Sequence, residues 1–168
     1  DRFEGSAFSC VEAGDDTLAI TCPWGNRLRV HGAGEGFGGM ALGLAYVDLD
    51  VPPGAAPGIA RFYQELFEAP AAVGAGDGGA PRAEVRVGCH QQLCFTETEA
   101  AIPDYDGHHV AVYLANFSRP YAELVGRGLV TLETNDSEYR FQDIVDLESG
   151  RVLTTIEHEV RSMFQIGG

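Results

Sequence analysis

Basic residues are scarce in this sequence of 168 residues. It has 11 lysines and arginines against 25 aspartates and glutamates, which gives a formal net charge of -14 at pH 7. A surplus of negative charge repels the phosphates of nucleic acids and the head groups of anionic lipids. We therefore expect no nucleic acid and no membrane as a partner.

Long apolar runs and a leader segment are also missing. No apolar stretch reaches the roughly 18 residues that a membrane-spanning helix needs. The sequence begins at Asp1 without a charged and then apolar leader, which predicts a trimmed or a processed chain. Because the given residues contain no targeting segment, the sequence leaves a cytoplasmic or an unknown location.

Cysteine is too rare to form a disulfide framework. Cys10, Cys22, Cys89 and Cys94 have no CxxC spacing. Since 45% of the residues are hydrophobic, the chain has enough apolar material for a core without covalent staples. We therefore expect reduced, buried thiols, with one alternative: Cys10 and Cys22 flank a predicted turn and could face each other across it.

The short motifs of several large enzyme classes are absent. No nucleophile elbow, Walker sequence or HExxH occurs, which argues against serine hydrolase and nucleotide hydrolase activities. The glycine-rich segment 32–39 follows one predicted strand and enters another, with no helix N-terminus to hold a phosphate. We interpret this segment as a linker.

One order of elements occurs twice: a strand, a helix and then further strands, with the second copy starting about 60 residues after the first. The strands at 44–51 and 109–114 alternate apolar and polar residues. Each strand therefore has one apolar face for the core and one polar face whose side chains can bind a ligand or take part in catalysis. An amphipathic helix is predicted within 58–70, and Ser118 is expected to cap a second helix at 119–126.

Strand pairs complete each copy. Hairpins are predicted within 83–98 and 138–160, whereas the segment 71–81, rich in alanine and glycine, predicts a flexible loop. The first 40 residues contain strands and turns without a helix. The sequence therefore predicts an α+β protein with a strand-rich remnant of an additional module at 1–40, a first βαβββ module at 41–102 and a second at 103–168.

Several segments resemble a known family. LAYVDLDV, followed by a Pro-Gly turn and IARFYQELF with its Phe-Tyr pair, resembles the opening of modules in the vicinal-oxygen-chelate superfamily of glyoxalases, bleomycin resistance proteins and dioxygenases. HHVAVYL repeats that opening, CPWGNRLRV resembles the turn before a module's last strand, and the closing EHEVRS resembles one subgroup of the family. The resemblance implies modules that pair into a concave, cup-shaped mixed sheet with the helices outside.

The same resemblance implies a metal site in the cup. Family members usually bind a divalent ion through a histidine of the first strand and a glutamate of the last strand of their modules. The corresponding first-strand positions are Tyr46 and His109, and the last-strand positions are Glu157 and, in the first copy, the neighbourhood of Cys94. The implied metal ligands are therefore His109 and Glu157, with the identity of the ion open.

A second interpretation has no metal, and the cup then binds a small organic molecule. Two arginines would suit a carboxylate or another anion, because a guanidinium pairs with such groups through two hydrogen bonds. Salt bridges with Glu84 or Glu138 would explain these arginines equally well. The predicted ligand contacts are Tyr46, Arg86, Tyr113, Arg140 and Gln142.

The other histidines have structural interpretations. His108 is expected at the start of its strand, hydrogen-bonded or solvated, and His90 in an exposed turn. His158 shares a face with Ile156 and is expected to be a core histidine whose ring nitrogens have partners.

Two functions thus remain open. One is a divalent-metal-dependent lyase, isomerase or dioxygenase that acts on a small oxygenated substrate, and the other is a non-catalytic protein that binds or sequesters a small molecule in a metal-free cup. No catalytic residue is predicted for either. The open sheet edges of an incomplete module also predict assembly into a homo-oligomer.

Overall fold

A computed structural model describes residues 3–14, 16–34, 37, 40 and 42–164, without the side chain of Asp77. The chain divides into two units, residues 1–43 and residues 44–168. Among the described residues, no helix has the length and apolar character needed to cross a membrane. The predicted boundaries at 1–40, 41–102 and 103–168 remain predictions.

The N-terminal unit is a three-stranded antiparallel sheet. Its strands β1 (Ser9–Glu12), β2 (Thr17–Thr21) and β3 (Arg27–His31) lie in that order. Cys10 lies opposite Ile20 of β2, and all four cysteines are free. The expectation of buried thiols is correct for Cys94 alone, because Cys10 and Cys89 are exposed and Cys22 is half-buried.

The C-terminal unit repeats one βαβββ order. The first copy consists of β4 (Tyr46–Val51), α1 (Ala56–Phe67), β5 (Ala71–Ala75), β6 (Pro81–Arg86) and β7 (Gln92–Glu97). The second consists of β8 (His109–Leu114), α2 (Ser118–Gly126), β9 (Val130–Asn135), β10 (Glu138–Val145) and β11 (Val152–Ser162). The predicted order of elements is confirmed.

Each copy forms a mixed four-stranded sheet. The strand orders are β4-β7-β6-β5 and β8-β11-β10-β9, and the first strand of each copy pairs in parallel with the last one. The other neighbours are antiparallel. The predicted α+β class and mixed sheets are therefore confirmed.

The core is built around the apolar stripe of α1. Tyr63 lies 5.8 Å from Phe95 of the first sheet, while Phe67 stacks at 5.6 Å on Phe141 of the second sheet, both distances being between ring centroids. Each fully buried large apolar side chain stabilises the fold by about 1.5–3 kcal/mol. Because both sheets turn their apolar faces to the same helix, the polar face of each lies on the side opposite to α1.

Three local predictions need correction. The segment predicted as a flexible loop contains β5, an edge strand whose backbone pairs with β6 although its small side chains give no apolar alternation. Helix α2 is not capped by Ser118, because Phe117 is the N-cap residue and no side chain caps this end. Alternation counted back from Glu157 predicts Leu153 on the polar face, but Leu153 is buried, since irregular pairing between β10 and β11 shifts the alternation near this residue.

Candidate functional site

Polar side chains cover the face of the second sheet that is opposite to α1. Neighbouring strands place them side by side, with Glu157 next to His109 and Arg161 next to Tyr113. We call this surface the second polar face, and it comprises His109, Tyr113, Glu138, Arg140, Gln142, Glu157, Glu159 and Arg161.

Glu157 lies at the His109 end of this face. Its Oε1 accepts a hydrogen bond from Arg140 at 2.9 Å, and its Oε2 accepts one from Gln142 at 3.2 Å. The hydrogen bond from Gln142 and the contact with Arg140 hold the pKa of Glu157 below its usual value, and the nearby His109 acts in the same direction. Glu157 is therefore an ionised carboxylate in a fixed orientation at neutral pH.

His109 is the exposed neighbour of Glu157 on β8. Its ring makes no hydrogen bond to any part of the chain that the structure describes. The ring nitrogens are consequently open to a ligand, a metal ion or water.

A ladder of ion pairs occupies the rest of the face. Arg140 lies 2.6 Å from Glu159 and 3.6 Å from Glu138, in addition to its bond with Glu157. Arg161 pairs with Glu159 and lies 3.4 Å from Glu138. Three carboxylates thus share two guanidinium groups, so neither arginine is free to bind an anion through two hydrogen bonds. This supports the salt-bridge interpretation of Arg140.

Tyr105 is a site residue that the sequence analysis missed. Partial burial raises the pKa of its phenol, and the negative charge of the nearby Glu157 raises this pKa further. Its ring meets that of His108 edge-on at 5.1 Å, and His108 lies 2.7 Å from Asp106, as expected for a hydrogen-bonded histidine. The irregular segment before β8 has no periodicity that would have predicted this placement.

His158 anchors the strand that carries Glu157. Its ring is 1% exposed, and Nδ1 donates to the carbonyl of Ile156 at 2.9 Å. Nε2 accepts a hydrogen bond from the hydroxyl of Tyr63 at 2.6 Å. Burial lowers the pKa of His158 to about 4, so the ring is neutral in the core. The prediction of a core histidine with satisfied nitrogens is confirmed, and the alternation of β11 then turns Glu157 outward.

The predicted ligand contacts separate into two groups. Tyr113, Arg140 and Gln142 lie on the second polar face, whereas Tyr46 and Arg86 belong to the first sheet. These two residues flank Gln92 there, one on each neighbouring strand. The five predicted residues therefore lie on two different sheets.

Cys94 lies on the same face of the first sheet, between Asp48 and Glu84 on the neighbouring strands. Burial raises the pKa of its thiol to about 11, against the opposing effect of Arg82. Among the described residues, no group of three or more His, Cys, Asp and Glu side chains is arranged to hold a metal ion.

Comparisons with known proteins identify the fold. No model of a known protein family and no curated protein matches the sequence. Among solved structures, the oxidase ChaP-H2 matches with a TM-score of 0.52 and 15% identity over 77% of this chain and 99% of that chain. The fosfomycin resistance protein FosX from Listeria monocytogenes matches with a TM-score of 0.50 and 15% identity over 74% of this chain and 94% of that chain.

The chain has the vicinal-oxygen-chelate fold. A second FosX structure, which contains Mn(II) and sulfate, matches with the same TM-score of 0.50 over 74% of this chain. The resemblance seen in the sequence is thereby confirmed for the fold. At 15% identity these vicinal-oxygen-chelate structures establish the architecture and no particular activity.

Proposed function

We propose that this vicinal-oxygen-chelate protein binds a small organic molecule on its second polar face, without a metal. The observation that carries the proposal is the fixed, ionised carboxylate of Glu157 beside the open ring of His109. Arg140 and Gln142 hold this carboxylate in place before any ligand arrives, and such preorganisation lowers the cost of binding. The ligand would contact His109, Glu157 and the phenol of Tyr105.

A metal-dependent lyase, isomerase or dioxygenase is the second candidate. It is favoured by the register of β8 and β11, which places the predicted ligands His109 and Glu157 next to each other, and FosX of the same fold has been solved with Mn(II). A catalytic divalent ion commonly uses about three protein ligands and an open position. The described residues of one chain supply two, and Arg140 already neutralises one of them. A single chain therefore does not fit the ion, and we derive no reaction step through it.

A second copy of the chain would change the number of protein ligands available to the ion. Strands β4 and β8 each pair on one side only, so that each sheet has an open edge at its first strand. We propose that two copies associate through these edges, which places Tyr46 and Arg86 of one copy beside the second polar face of the other. The cup predicted from the resemblance would then form between copies.

One experiment separates the two candidates. The protein is purified without chelator, its mass in solution is measured by light scattering, and its Mn, Fe, Zn, Ni and Co contents are determined per chain. The proposed metal-free binder predicts well below one ion per chain in a dimer. About one ion per chain that disappears in His109→Ala would overturn the metal-free proposal and favour the enzyme.

His31→Ala is the matched control for this measurement. His31 is a histidine of β3 in the other unit, residues 1–43. A metal lost equally in His31→Ala and His109→Ala would count against any ion at Glu157. A monomer in solution would contradict the shared cup but leave the second polar face of each chain intact.

A further inference from the structure

The second polar face ends in a depression beside Tyr113. Its volume is about 480 Å³, which lies within the range of roughly 300–1,000 Å³ that is typical of small-molecule sites. The ends of β8 and β11 and the turn between β9 and β10 form its walls. We call it the Tyr113 pocket, and it is lined by Tyr113, Asn135, Ser137, Glu138, Arg161 and two residues at the end of β11.

The charged groups of this pocket neutralise each other. Glu138 and Arg161 lie 3.4 Å apart, and Arg161 also pairs with the nearly buried Glu159. An anionic ligand would have to compete with two carboxylates for Arg161. A cationic ligand would have to compete with the guanidinium for Glu138. Both exchanges give up an existing ion pair, so the pocket favours a ligand without net charge.

The same pair offers a donor beside an acceptor. Arg161 donates to the hydroxyl of Tyr113 at 3.2 Å through one N–H of Nη1, and its buried Nε faces Glu138. The second N–H of Nη1 makes no hydrogen bond among the described residues and is the donor that remains for a ligand. Glu138 accepts from Thr134 at 2.9 Å through Oε1, while its Oε2 faces Arg161. A carboxamide or lactam presents a carbonyl acceptor beside an N–H donor, and this edge complements a guanidinium next to a carboxylate.

The wall of the pocket suits a flat ring. Tyr113 is 58% exposed on the sheet, although its ring is large and mostly apolar. Aromatic rings of this kind stack on flat ligands and stabilise the complex beyond the burial of apolar surface. Met163, 61% exposed, adds an adaptable apolar contact at the rim.

We propose that the Tyr113 pocket binds a neutral, flat aromatic molecule that carries an amide or lactam group. The ring stacks on Tyr113, the carbonyl accepts from Arg161 and the N–H donates to Glu138. This deepens the proposed function by assigning a ligand class to one end of the second polar face, and it does not depend on a metal.

Three probes of nearly the same shape and different charge test the ligand class. Benzamide is neutral, benzoate is an anion and benzamidinium is a cation. Each is titrated into the full chain labelled with ¹⁵N, and the dissociation constant is taken from the amide shifts of residues that line the pocket. We expect benzamide to bind about tenfold more tightly than either ion, because it leaves the Glu138–Arg161 pair intact. Tightest binding of benzoate, tightest binding of benzamidinium or no binding of any probe would each overturn the proposal.

Substitutions in the chain show where the benzamide probe binds. Tyr113→Ala is expected to weaken benzamide binding at least about fivefold, since the stacking surface is lost. Trp24→Ala is the control, because Trp24 is an 88% exposed aromatic residue of the other unit. Glu138→Gln removes the carboxylate that competes for Arg161 and should shift the preference towards benzoate, while its folding is checked in the same spectra. Binding that is lost in His109→Ala and kept in Tyr113→Ala would support the proposed function and overturn the Tyr113 pocket.

Discussion

The hydroxyl of Tyr63 and the ring of His158 join the two βαβββ modules through a buried hydrogen bond of 2.6 Å. Tyr63 belongs to the helix of the first module and His158 to the last strand of the second. The residue before His158 is Glu157, so this bond anchors the strand that presents the candidate site.

Removing the hydroxyl in Tyr63→Phe should destabilise the fold. His158 then keeps a buried ring nitrogen without a partner, which costs about 1–3 kcal/mol in the free energy of unfolding. Urea denaturation followed by circular dichroism measures this cost. Tyr121→Phe is the matched control, because the Tyr121 hydroxyl bonds to Glu133 on the exposed surface. Equal and small losses in both variants would contradict the structural role of the Tyr63–His158 bond.

Stability should depend on pH through His158. Its pKa is about 4 in the folded chain against 6.5 for the ordinary group, because burial disfavours the charged ring. The unfolded chain therefore binds more protons between these two values, and the free energy of unfolding falls as the pH falls from 6.5 towards 4. The contribution of the neutral His158 ring to the free energy of unfolding is fully present above pH 6.5.

Urea midpoints at pH 7.0, 6.0 and 5.0 measure this dependence. Replacing the ring by an amide in His158→Gln removes the titrating group and should flatten the decline over this interval. If the decline in stability with falling pH were unchanged in His158→Gln, residues other than His158 would be its cause.

Arg140→Gln should raise the pKa of Glu157. The guanidinium bonds to Glu157 at 2.9 Å and also compensates Glu159 and Glu138, so its loss leaves three carboxylates with one arginine. A ¹³C NMR titration of the Glu157 carboxyl carbon gives the pKa directly. Because Arg140 also compensates Glu138 and Glu159, its loss should lower the free energy of unfolding by more than the loss of a single exposed ion pair does.

Arg61→Gln provides the comparison for Arg140→Gln. Arg61 pairs with Glu148 at 2.5 Å, but the two side chains are 41% and 81% exposed. An exposed pair contributes about 0–1 kcal/mol, so this variant should be close to the parent. A Glu157 pKa that stays constant in Arg140→Gln would show that Gln142 alone holds the carboxylate.

Cys94 should resist alkylation in the folded chain. The residue is 1% exposed, and burial raises the pKa of its thiol to about 11. Cys10 and Cys89 are exposed. Iodoacetamide reacts with the thiolate, so brief labelling at pH 8 should modify Cys10 and Cys89 well before Cys94. Peptide mass spectrometry reads each site, and labelling in urea should remove the difference. Early modification of Cys94 would contradict its burial.

Local periodicity was sufficient to predict most elements of the C-terminal unit. The apolar stripe of Ile59, Phe62 and Tyr63 predicted α1 because residues three and four positions apart share one face of a helix. Strand β5 was missed because its sequence, mostly alanine and glycine, gives no apolar alternation, although its backbone pairs with β6. Tyr105 was missed for a similar reason, since an irregular segment has no period to read.

Apart from β5 and the irregular stretch near Leu153, the sequence by itself determined which side chains of the strands in the C-terminal unit face the core, because alternation is a property of the local backbone. It also determined the core position of His158. Only the tertiary structure decided which polar side chains meet. Arg140 and Gln142 converge on Glu157 while Tyr46 and Arg86 lie on another sheet, because the packing of both sheets on α1 depends on contacts between residues far apart in the chain.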